Sequence, residues 1–591
     1  MTELANTVAH LTPELWGRAN RLLVGKALAE LSHERVLTPH RQPDGSYRVL
    51  SDDESVHYRF TARVLTLDHW RVDLDSIGRY SAERALELDA VDFILDLRRT
   101  LGLSEHVLPV YLEEIGSTLA SIAFKLAAPP VSAATLAHAE FQTVETGMTE
   151  GHPCFIANSG RLGFDAAEYR SYAPEAAAPV RLIWLAVRRD RATYSAGADL
   201  DYDELIAAEL DESVRDRFAG TISDVGLDPA DYYLIPVHPW QWWNRLAVTF
   251  AGELARRNII LLGQSDDEYL AQQSIRTFFN VSVPSRHYVK TALSVLNMGF
   301  LRGLSAEYMR ATPAINDWLA EVIANDEVLR RTGFSILRER AAIGYHHEQF
   351  RAACPNGSPY LKMLAALWRE SPIPRLGPGE RLVTMASLLH VDRNGDSFAA
   401  ALIAESGLRP RAWLESYLDA YLTPVLHCFY AYDLVFMPHG ENVIVVLDAG
   451  VPQRAIFKDI AEEIAVMSKD VDLPPAVERI RADVPDELKT LSIFTDVFDC
   501  FLRFLNGILS PAGLLAEDEF WSTVADCVTA YQRSMPALAG KFERYDLFAG
   551  EFALSCLNRL QLRNNQQMVD LQDPAGALQI VGTLQNPIAN R

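Results

Sequence analysis

Residues 434–459 read LVFMPHGENVIVVLDAGVPQRAIFKD, and this stretch decides the class of fold. After a short apolar run and a loop, two β-prone runs at 443–447 and 454–458 flank the turn Asp448-Ala449-Gly450. Such a pair of runs predicts a β-hairpin. The surrounding sequence has apolar residues at three- and four-residue spacing, which predicts amphipathic helices over 410–430, 487–508 and 517–534. A hairpin set among long helices predicts an α+β protein.

The chain before this region has two parts of different character. Residues 1–130 are predicted to be mostly helical, over 11–31, 82–101 and 108–126, with strand-like alternation at 47–66. The run Ala127-Ala128-Pro129-Pro130 ends that pattern. Residues 131–340 are mixed, with strand-like runs at 180–187, 232–237 and 287–295. We therefore predict domain boundaries near residues 130 and 340.

The composition narrows the classes of partner. The chain has 591 residues, 78 Asp and Glu against 55 Lys and Arg, and a formal charge of −23. A surface for nucleic acid or an anionic membrane is not expected of so acidic a protein, so small molecules are the expected partners. Six cysteines without a C-x-x-C pair favour neither a zinc site nor disulfides. With no apolar run long enough for a membrane span, a cytoplasmic protein is expected.

The first candidate site is Ser274-Ile275-Arg276-Thr277, followed by Lys290 and Arg302. Residues 274–310 hold five Arg or Lys and a single acidic residue, Glu307. This segment is therefore basic, although the chain as a whole is strongly acidic. Hydroxyls beside an arginine suit phosphate oxygens, and further cations offset the charge of a triphosphate. The alternative is a solvated basic face.

The second candidate site is the loop His439-Gly440-Glu441-Asn442, with Asp459 at the far end of the hairpin. Carboxylates and an amide arranged in this way hold magnesium against phosphates, as in kinase-like phosphotransferases. The motif thus indicates a nucleotide and a metal without choosing the reaction. Alternatively, His439 and Asn442 complete a turn and Asp459 caps the helix that begins near Ile460.

Two further segments carry polar side chains. The loop from Gly151-His152-Pro153 to Arg161 presents His152, Asn158, Ser159 and Arg161, a set suited to a carboxylate or a phosphate, although a histidine before proline is more often a turn residue. The segment 236–243 sets three tryptophans beside His238. Such a cluster more often anchors a contact between domains, so His238 is interpreted as structural.

Taken in order over nearly the whole chain, these segments resemble the IucA/IucC-type family of siderophore synthetases, which act independently of nonribosomal peptide synthetases. Five segments carry the resemblance: Gly151-His152-Pro153 with Gly160-Arg161-Leu162-Gly163-Phe164, Pro236-Val237-His238-Pro239-Trp240-Gln241, Ser274-Ile275-Arg276-Thr277, His439-Gly440-Glu441-Asn442, and Lys458-Asp459.

The resemblance implies a fold and a set of roles. The fold is an α+β cupped hand with a helical thumb (1–130), β-containing fingers (131–340) and a largely helical palm (341–591), with ATP between fingers and palm, and a homodimer is expected. The implied catalytic residues are Arg276, Lys290, Arg302 and His152, the last as a candidate general base. ATP would be bound by Ser274, Arg276, Thr277, Lys290, His439, Asn442 and Asp459. Mg²⁺ would be held by Glu441, Asn442 and Asp459. The acid substrate would meet His152, Asn158, Arg161 and Arg302.

The resemblance also implies a reaction, in which ATP adenylates a carboxylate and an amine then takes the acyl group. Where some family members have a second His-Pro and a lysine, this chain has residues 154–161, CFIANSGR, which argues against simple citrate recognition. The form seen here is most similar to desferrioxamine-type synthetases, which join and close N-hydroxy-N-succinyl-diamine units. Aerobactin- and alcaligin-type synthetases are the alternatives within the family. A kinase-like phosphotransferase and a non-catalytic binding protein are the alternatives outside it.

Overall fold

A computed structural model describes residues 6–148, 150–565, 578–589 and 591. The first long helix of the N-terminal part is Pro13–His33. It starts where the Thr12 side chain accepts a hydrogen bond from the backbone of Leu15, and proline occupies its first turn. Two more helices follow in this part, Ala90–Asp96 and Leu108–Ala127. The helix predicted over 82–101 is wrong in its first half, which holds a strand. The strands are β1 His40–Arg41, β2 Tyr47–Leu50, β3 His57–Phe60, β4 Ala62–Leu65, β5 His69–Val72, β6 Gly78–Ser81 and β7 Arg84–Leu86.

The middle of the chain is built around a six-stranded sheet in the order β12-β13-β14-β19-β18-β9. Its strands and their neighbours are β8 Ile183–Arg188, β9 Ala192–Ala196, β10 Tyr232–Val237, β11 Ile259–Gln264, β12 Tyr269–Ala271, β13 Thr277–Asn280, β14 Tyr288–Thr291, β15 Leu296–Asn297, β16 Phe300–Leu301, β17 Ser335–Ile336, β18 Glu339–Tyr345 and β19 Ala365–Arg369. The helices that surround it include Phe141–Gly147, Ala166–Tyr172, Tyr202–Glu209, Glu212–Ser223 and Thr312–Asn325.

The predicted boundary at residue 340 divides this sheet, because β18 spans it and β19 pairs with β18. One face of the sheet, with Phe278, Val289 and Trp368, is buried in an apolar core. The opposite face carries the polar side chains Lys290 and Arg369 together with apolar residues such as Phe279 and Leu367, since successive residues of a strand point to opposite faces. The division into thumb, fingers and palm stays a prediction.

The C-terminal part packs long helices around the largest core, which includes Trp413, Tyr417 and Tyr421 of the helix Pro410–Tyr432. The other helices include Phe398–Ser406, Ile460–Glu463, Arg503–Leu509, Glu517–Ser534 and Leu557–Arg563. The helix predicted over 487–508 is confirmed as a helical segment: Asp486–Lys489 and, after the turn residue Thr490, an unbroken stretch over 491–509 whose middle, Phe494–Leu502, is π-helical.

The predicted hairpin is confirmed. Val443–Asp448 and Val451–Phe457 pair antiparallel, and Ala449 and Gly450 both have positive φ, as a two-residue turn requires. In this part the strands are β20 Glu380–Thr384, β21 Leu434–Val435, β22 Val443–Asp448, β23 Val451–Phe457, β24 Ala465–Val466, β25 Glu551–Ser555 and β26 Ile580–Gln585.

Candidate functional site

The face of the six-stranded sheet opposite that core carries two cations. Thr277 of β13 lies opposite Lys290 of β14, and Arg369 of β19 lies opposite Tyr288 of β14. Because alternate residues of a strand share a face, Lys290 and Arg369 point to the same side. Both are buried, with 5% and 2% of their surface exposed. The ladder therefore fixes two positive charges against the sheet.

The loop before β13 is bent by Ile275, whose φ is 58°. A β-branched residue rarely adopts the left-handed region, and such outliers are concentrated at functional sites. This bend sets Ser274 and Thr277 within hydrogen-bond distance, Oγ to Oγ1 at 2.8 Å. Arg276 donates to the backbone oxygen of Arg302 at 3.0 Å and also to that of Gly303. The bend thus brings the predicted phosphate residues together.

Carboxylates from the segment after the hairpin meet these cations. Lys290 Nζ lies 2.8 Å from Asp459 Oδ1 and 2.7 Å from Glu462 Oε2. Arg369 Nη1 lies 3.0 Å from Asp459 Oδ1, and Arg276 Nη2 lies 3.8 Å from Glu462 Oε2. Asp459 has a left-handed backbone, and its side chain makes no capping hydrogen bond to the helix Ile460–Glu463. The helix-cap alternative for Asp459 is therefore wrong.

The charges of this cluster depend on one another. Burial disfavours the ammonium of Lys290, but Asp459 and Glu462 outweigh it and raise the pKa of this lysine. Burial likewise opposes ionisation of Glu462, yet Lys290 and Arg276 hold the pKa of this carboxyl below its usual value. Removing one partner would leave an uncompensated buried charge.

The loop around His439 lies beside the same cluster. Asn442 donates to the Met437 backbone at 3.1 Å and to the Glu463 carboxylate. His439 Nε2 lies 3.9 Å from Glu463 Oε2, and burial lowers the pKa of His439 to about 4. Burial and then the charge of Asp459 raise the pKa of Glu463 to about 8. His439, Asn442 and Asp459 are therefore neighbours, as predicted from the sequence.

His152 reaches this region from the N-terminal side. Its ring centroid lies 5.5 Å from that of His439. Burial, reinforced by His439 and Lys26, lowers the pKa of His152 well below its usual value, so the imidazole is neutral. Within the described part of the chain, Nδ1 of this ring is buried without a hydrogen-bond partner. Asn158 supports the loop by donating to the His152 backbone at 3.1 Å.

The two arginines predicted to bind the acid substrate differ in their contacts. Arg161 donates to both carboxylate oxygens of Glu175, one of them at 2.8 Å, and both side chains are buried. Arg302 instead donates to the neutral side chain of Asn297 at 2.9 Å. Burial and the nearby Arg276 lower the pKa of Arg302 to about 10. An incoming carboxylate would compete with a carboxylate at Arg161 and with an amide at Arg302.

Comparison with known proteins now adds to this geometry. A sequence profile described as the IucA / IucC family matches residues 140–390. Putrebactin synthase from Shewanella sp. (strain MR-4) is 50% identical over 583 residues, which cover 98% of this chain and 92% of that protein. The chain belongs to the IucA/IucC family. A second profile, described as a ferric iron reductase FhuF-like transporter, matches residues 411–570.

Solved structures of IucA/IucC proteins share the fold. Aerobactin synthetase IucC from a hypervirulent pathotype of Klebsiella pneumoniae superposes with a TM-score of 0.85 at 28% identity, over 97% of this chain and 98% of that one. The ATP-bound aerobactin synthetase IucA from the same source gives a TM-score of 0.74 over 97% and 99% of the chains, and its 17% identity speaks for the fold alone. Both the resemblance to siderophore synthetases and the α+β cupped-hand fold are confirmed.

The candidate site includes residues that sequence reasoning missed: Arg369, Glu462, Glu463, Glu339 and Asn297. A signal existed for two of them, because Glu462 and Glu463 follow Asp459 by about one helical turn. No sequence signal indicated Arg369, since only the pairing of β19 with β14 brings this arginine beside Lys290. Glu339 is buried and accepts a hydrogen bond from the Ala461 backbone at 3.1 Å.

The predicted structural role of His238 fits its surroundings. Nδ1 of the buried ring accepts a hydrogen bond from the Trp240 backbone at 2.9 Å. Gln241 donates to the backbone of Met363 at 2.8 Å. Trp240 and Trp242 are buried, but Trp243 is 69% exposed, so the expected packing of three tryptophans is wrong for one of them.

The predicted magnesium ligands can be tested against the chemistry of their donors. Over the described residues, no three His, Cys, Asp or Glu side chains form a group that could hold a metal by themselves. Glu441, Asn442 and Asp459 nevertheless supply hard oxygen donors, which suit a magnesium ion that takes its remaining ligands from phosphates and water. The donor set fits magnesium bound together with a nucleotide.

No helix within the described ranges combines the length and apolar character needed to span a bilayer.

Proposed function

We propose that this siderophore synthetase is an ATP-dependent, AMP-forming ligase that joins a carboxylate to an amine. The observation that supports it is the cluster of Lys290 and Arg369 on one sheet face and Arg276 from the loop before β13, opposed by Asp459 and Glu462. Buried cations fixed in advance stabilise the charge that develops on a triphosphate during in-line displacement. A relative of the same fold is described as ATP-bound.

The residues of the chain divide the work of the proposed reaction. Phosphate oxygens would compete with Glu462 for Lys290 and Arg276, and Ser274 and Thr277 would donate to them. Arg302 would hold the reacting carboxylate, because among the described residues its guanidinium donates to the neutral side chain of Asn297 and forms no ion pair within 4 Å. Glu441, Asn442 and Asp459 would hold Mg²⁺, which neutralises phosphate charge when bound.

His152 is the proposed residue for the amine half-reaction. A neutral imidazole with an unpartnered Nδ1 can accept the proton that the amine loses on attack. Arg161 and Asn158, predicted to contact substrate, are proposed instead to hold the loop that carries His152, given their contacts with Glu175 and the His152 backbone.

The substrate class is proposed from the family. A succinyl or citryl monoamide acid and an N-hydroxylated diamine are the proposed substrates, with desferrioxamine-type oligomerisation and macrocyclisation. The 50% identical relative is named putrebactin synthase, a hydroxamate-type system, which supports a hydroxamate-forming substrate; aerobactin- and alcaligin-type synthesis stay the alternatives within the family. We further propose a cytoplasmic homodimer.

Product analysis tests the reaction. Purified protein is incubated with ATP, Mg²⁺ and N-hydroxy-N-succinyl-cadaverine, and nucleotides and amides are separated. We expect AMP and pyrophosphate only when the acid is present, together with amide oligomers. Release of ADP would instead establish a kinase-like phosphotransferase, and no consumption of ATP would establish a binding protein.

A matched pair of variants ties the activity to the site. Lys290→Ala removes the cation between Asp459 and Glu462 and should abolish AMP release. Arg188→Ala removes a half-buried arginine at the end of β8 that pairs with Asp190, and it should leave AMP release unchanged. Equal activity of the two variants would contradict the assignment of the sheet face.

A further inference from the structure

A small apolar cluster lies apart from the main cores of the protein. Phe155 and Leu560 are buried within it, while Met298, Phe300 and Leu557 pack against them and stay partly exposed. Its members come from three separate segments: the loop after His152, the β15–β16 hairpin and the helix Leu557–Arg563. Side chains from segments so distant in sequence converge here only because the fold brings them together.

The cluster adjoins both groups to which the reaction has been assigned. The hairpin that carries Met298 and Phe300 runs directly into Arg302, whose guanidinium donates to Asn297 of the same hairpin at 2.9 Å. On the other side, the Phe155 ring lies 4.9 Å from the ring of His152. An apolar surface thus connects the proposed carboxylate site with the proposed amine site.

The hairpin is held firmly, so its exposed side chains have fixed positions. Asn297 donates to the Gly160 backbone at 2.9 Å, and Leu162 exchanges backbone hydrogen bonds with Leu296. Met298 and Gly299 both have positive φ, which produces a tight turn. The N–H of Gly299 donates to the buried carboxyl of Glu114.

We infer that Met298, Phe300 and Leu557 form the surface against which the methylene spacer of the acid substrate lies. This inference rests on the proposed function and extends it to substrate length. A monoacylated diamine has a carboxylate at one end, an amine at the other and methylenes between them. Arg302 meets the carboxylate, and only an apolar surface gains free energy by covering the methylenes.

A substrate series of increasing spacer length tests the inference. N-hydroxy-N-succinyl derivatives of propane-, butane-, pentane- and hexane-diamine are compared by acid-dependent exchange of labelled pyrophosphate into ATP. For wild type we expect kcat/KM to rise about fourfold per methylene, the value expected for burial of one CH₂ group, until the surface is filled. Succinamic acid, which lacks the spacer, gives the baseline.

Variants of one residue separate a substrate contact from a structural role. Met298→Ser should reduce the rise to about twofold or less per methylene while leaving exchange with succinamic acid near wild type. Met298→Leu conserves the apolar surface and should keep the rise. Val248→Ser, at a residue of the fingers that is 74% exposed, should change neither quantity.

The possible failures are distinguishable. No exchange by wild type with any acid would overturn the proposed function and this inference with it. Exchange with the same length dependence in wild type and Met298→Ser would overturn the spacer surface alone. Equal loss for succinamic acid and every longer acid in Met298→Ser, with a lower melting temperature, would also overturn it, since that pattern marks a purely structural residue.

Discussion

The cationic face of the central sheet and the acidic segment 459–463 differ in how the backbone positions their charged side chains. Lys290 and Arg369 stand on neighbouring strands whose register is fixed by backbone hydrogen bonds. Asp459, Glu462 and Glu463 stand at the end of a hairpin and on the four-residue helix Ile460–Glu463, where Asp459 has a left-handed backbone. The cations are therefore positioned by extensive secondary structure, and the carboxylates by one local turn.

The difference indicates which side would adjust to a ligand. A polyanion of high charge would take over the cations from Glu462, while the sheet beneath them stays in place. Buried ion pairs contribute little net stability when intact, but breaking one is costly unless the partner finds a new counter-charge. We expect the acidic segment to bind magnesium and the cations of the sheet to bind phosphate. The ion pairs between the two sides would then be replaced at the same time by contacts with the ligands.

The largest effect on activity is expected from removal of Arg276, the cation in the loop before β13. Arg276→Ala loses a charge near the phosphates and the hydrogen bonds to the Arg302 and Gly303 backbones. We expect adenylation to fall about 10²- to 10³-fold, equivalent to about 2–4 kcal/mol of transition-state stabilisation. Pyrophosphate exchange measures it, with Arg188→Ala as the control. A folded variant with near-normal exchange would refute the phosphate assignment.

The next largest effect concerns the loop that carries His152. His152→Ala should still exchange pyrophosphate, whereas the amide product falls about 10²-fold, because only the second half-reaction needs the neutral imidazole. Exchange, product and melting temperature are measured together. His238→Ala is the matched control, since that buried histidine accepts a backbone hydrogen bond and serves packing. Parallel loss of exchange, product and stability in His152→Ala would make it a turn residue.

A substitution in the acidic segment should have a smaller effect that magnesium can offset. Asp459→Asn replaces a carboxylate that contacts Lys290 and Arg369, and an amide is a poorer ligand for magnesium. We expect about tenfold less exchange at low magnesium and partial recovery at high magnesium. Asp448→Asn, exposed at the turn end of the same hairpin, is the control. Activity equal to wild type at low magnesium would exclude Asp459 as a ligand.

The same contrast explains what the sequence predicts and what it does not. The hairpin, the helix over 517–534 and the strand over 232–237 follow from local patterns, and the structure has them. The neighbours Ser274, Thr277 and Lys290 also lie together as expected. Arg369 was missed because its partner Asp459 is distant in the chain, whereas Asn297 lies only five residues before its partner Arg302 and was missed because an amide near an arginine gives no signal of its own. The ion pair of Arg161 with Glu175 was equally invisible, since spacing does not reveal which carboxylate a buried arginine meets.

The smallest effect on activity is expected at Glu114, a buried carboxyl outside both regions. Its substitution should change the stability of the protein rather than its activity. Glu462 has cationic partners and a lowered pKa, whereas Glu114 is fully buried among the amides of Gln561 and Asn565, and burial raises its pKa to about 7. The protonated form is thus favoured in the folded state. Its contribution to stability is complete below the unfolded pKa of 4.5 and is lost as the pH rises through 7.

Glu114→Gln removes this titration while keeping a side chain of the same shape. We expect the variant to gain about 2–3 kcal/mol of unfolding free energy relative to wild type between pH 5 and pH 8; the gain accumulates as the pH rises from 5 to the raised pKa of about 7 and levels off above it. Denaturant melts across that range measure it, and pyrophosphate exchange should change little. Glu113→Gln, exposed one residue earlier on the same helix, is the control and should show no such pH-dependent gain. If the stability difference between Glu114→Gln and wild type is the same at pH 5 and pH 8, the carboxyl does not titrate in this range. The contrast between Glu462, which pairs directly with Lys290, and Glu114, whose hydrogen-bond partners are amides, would then have to be abandoned.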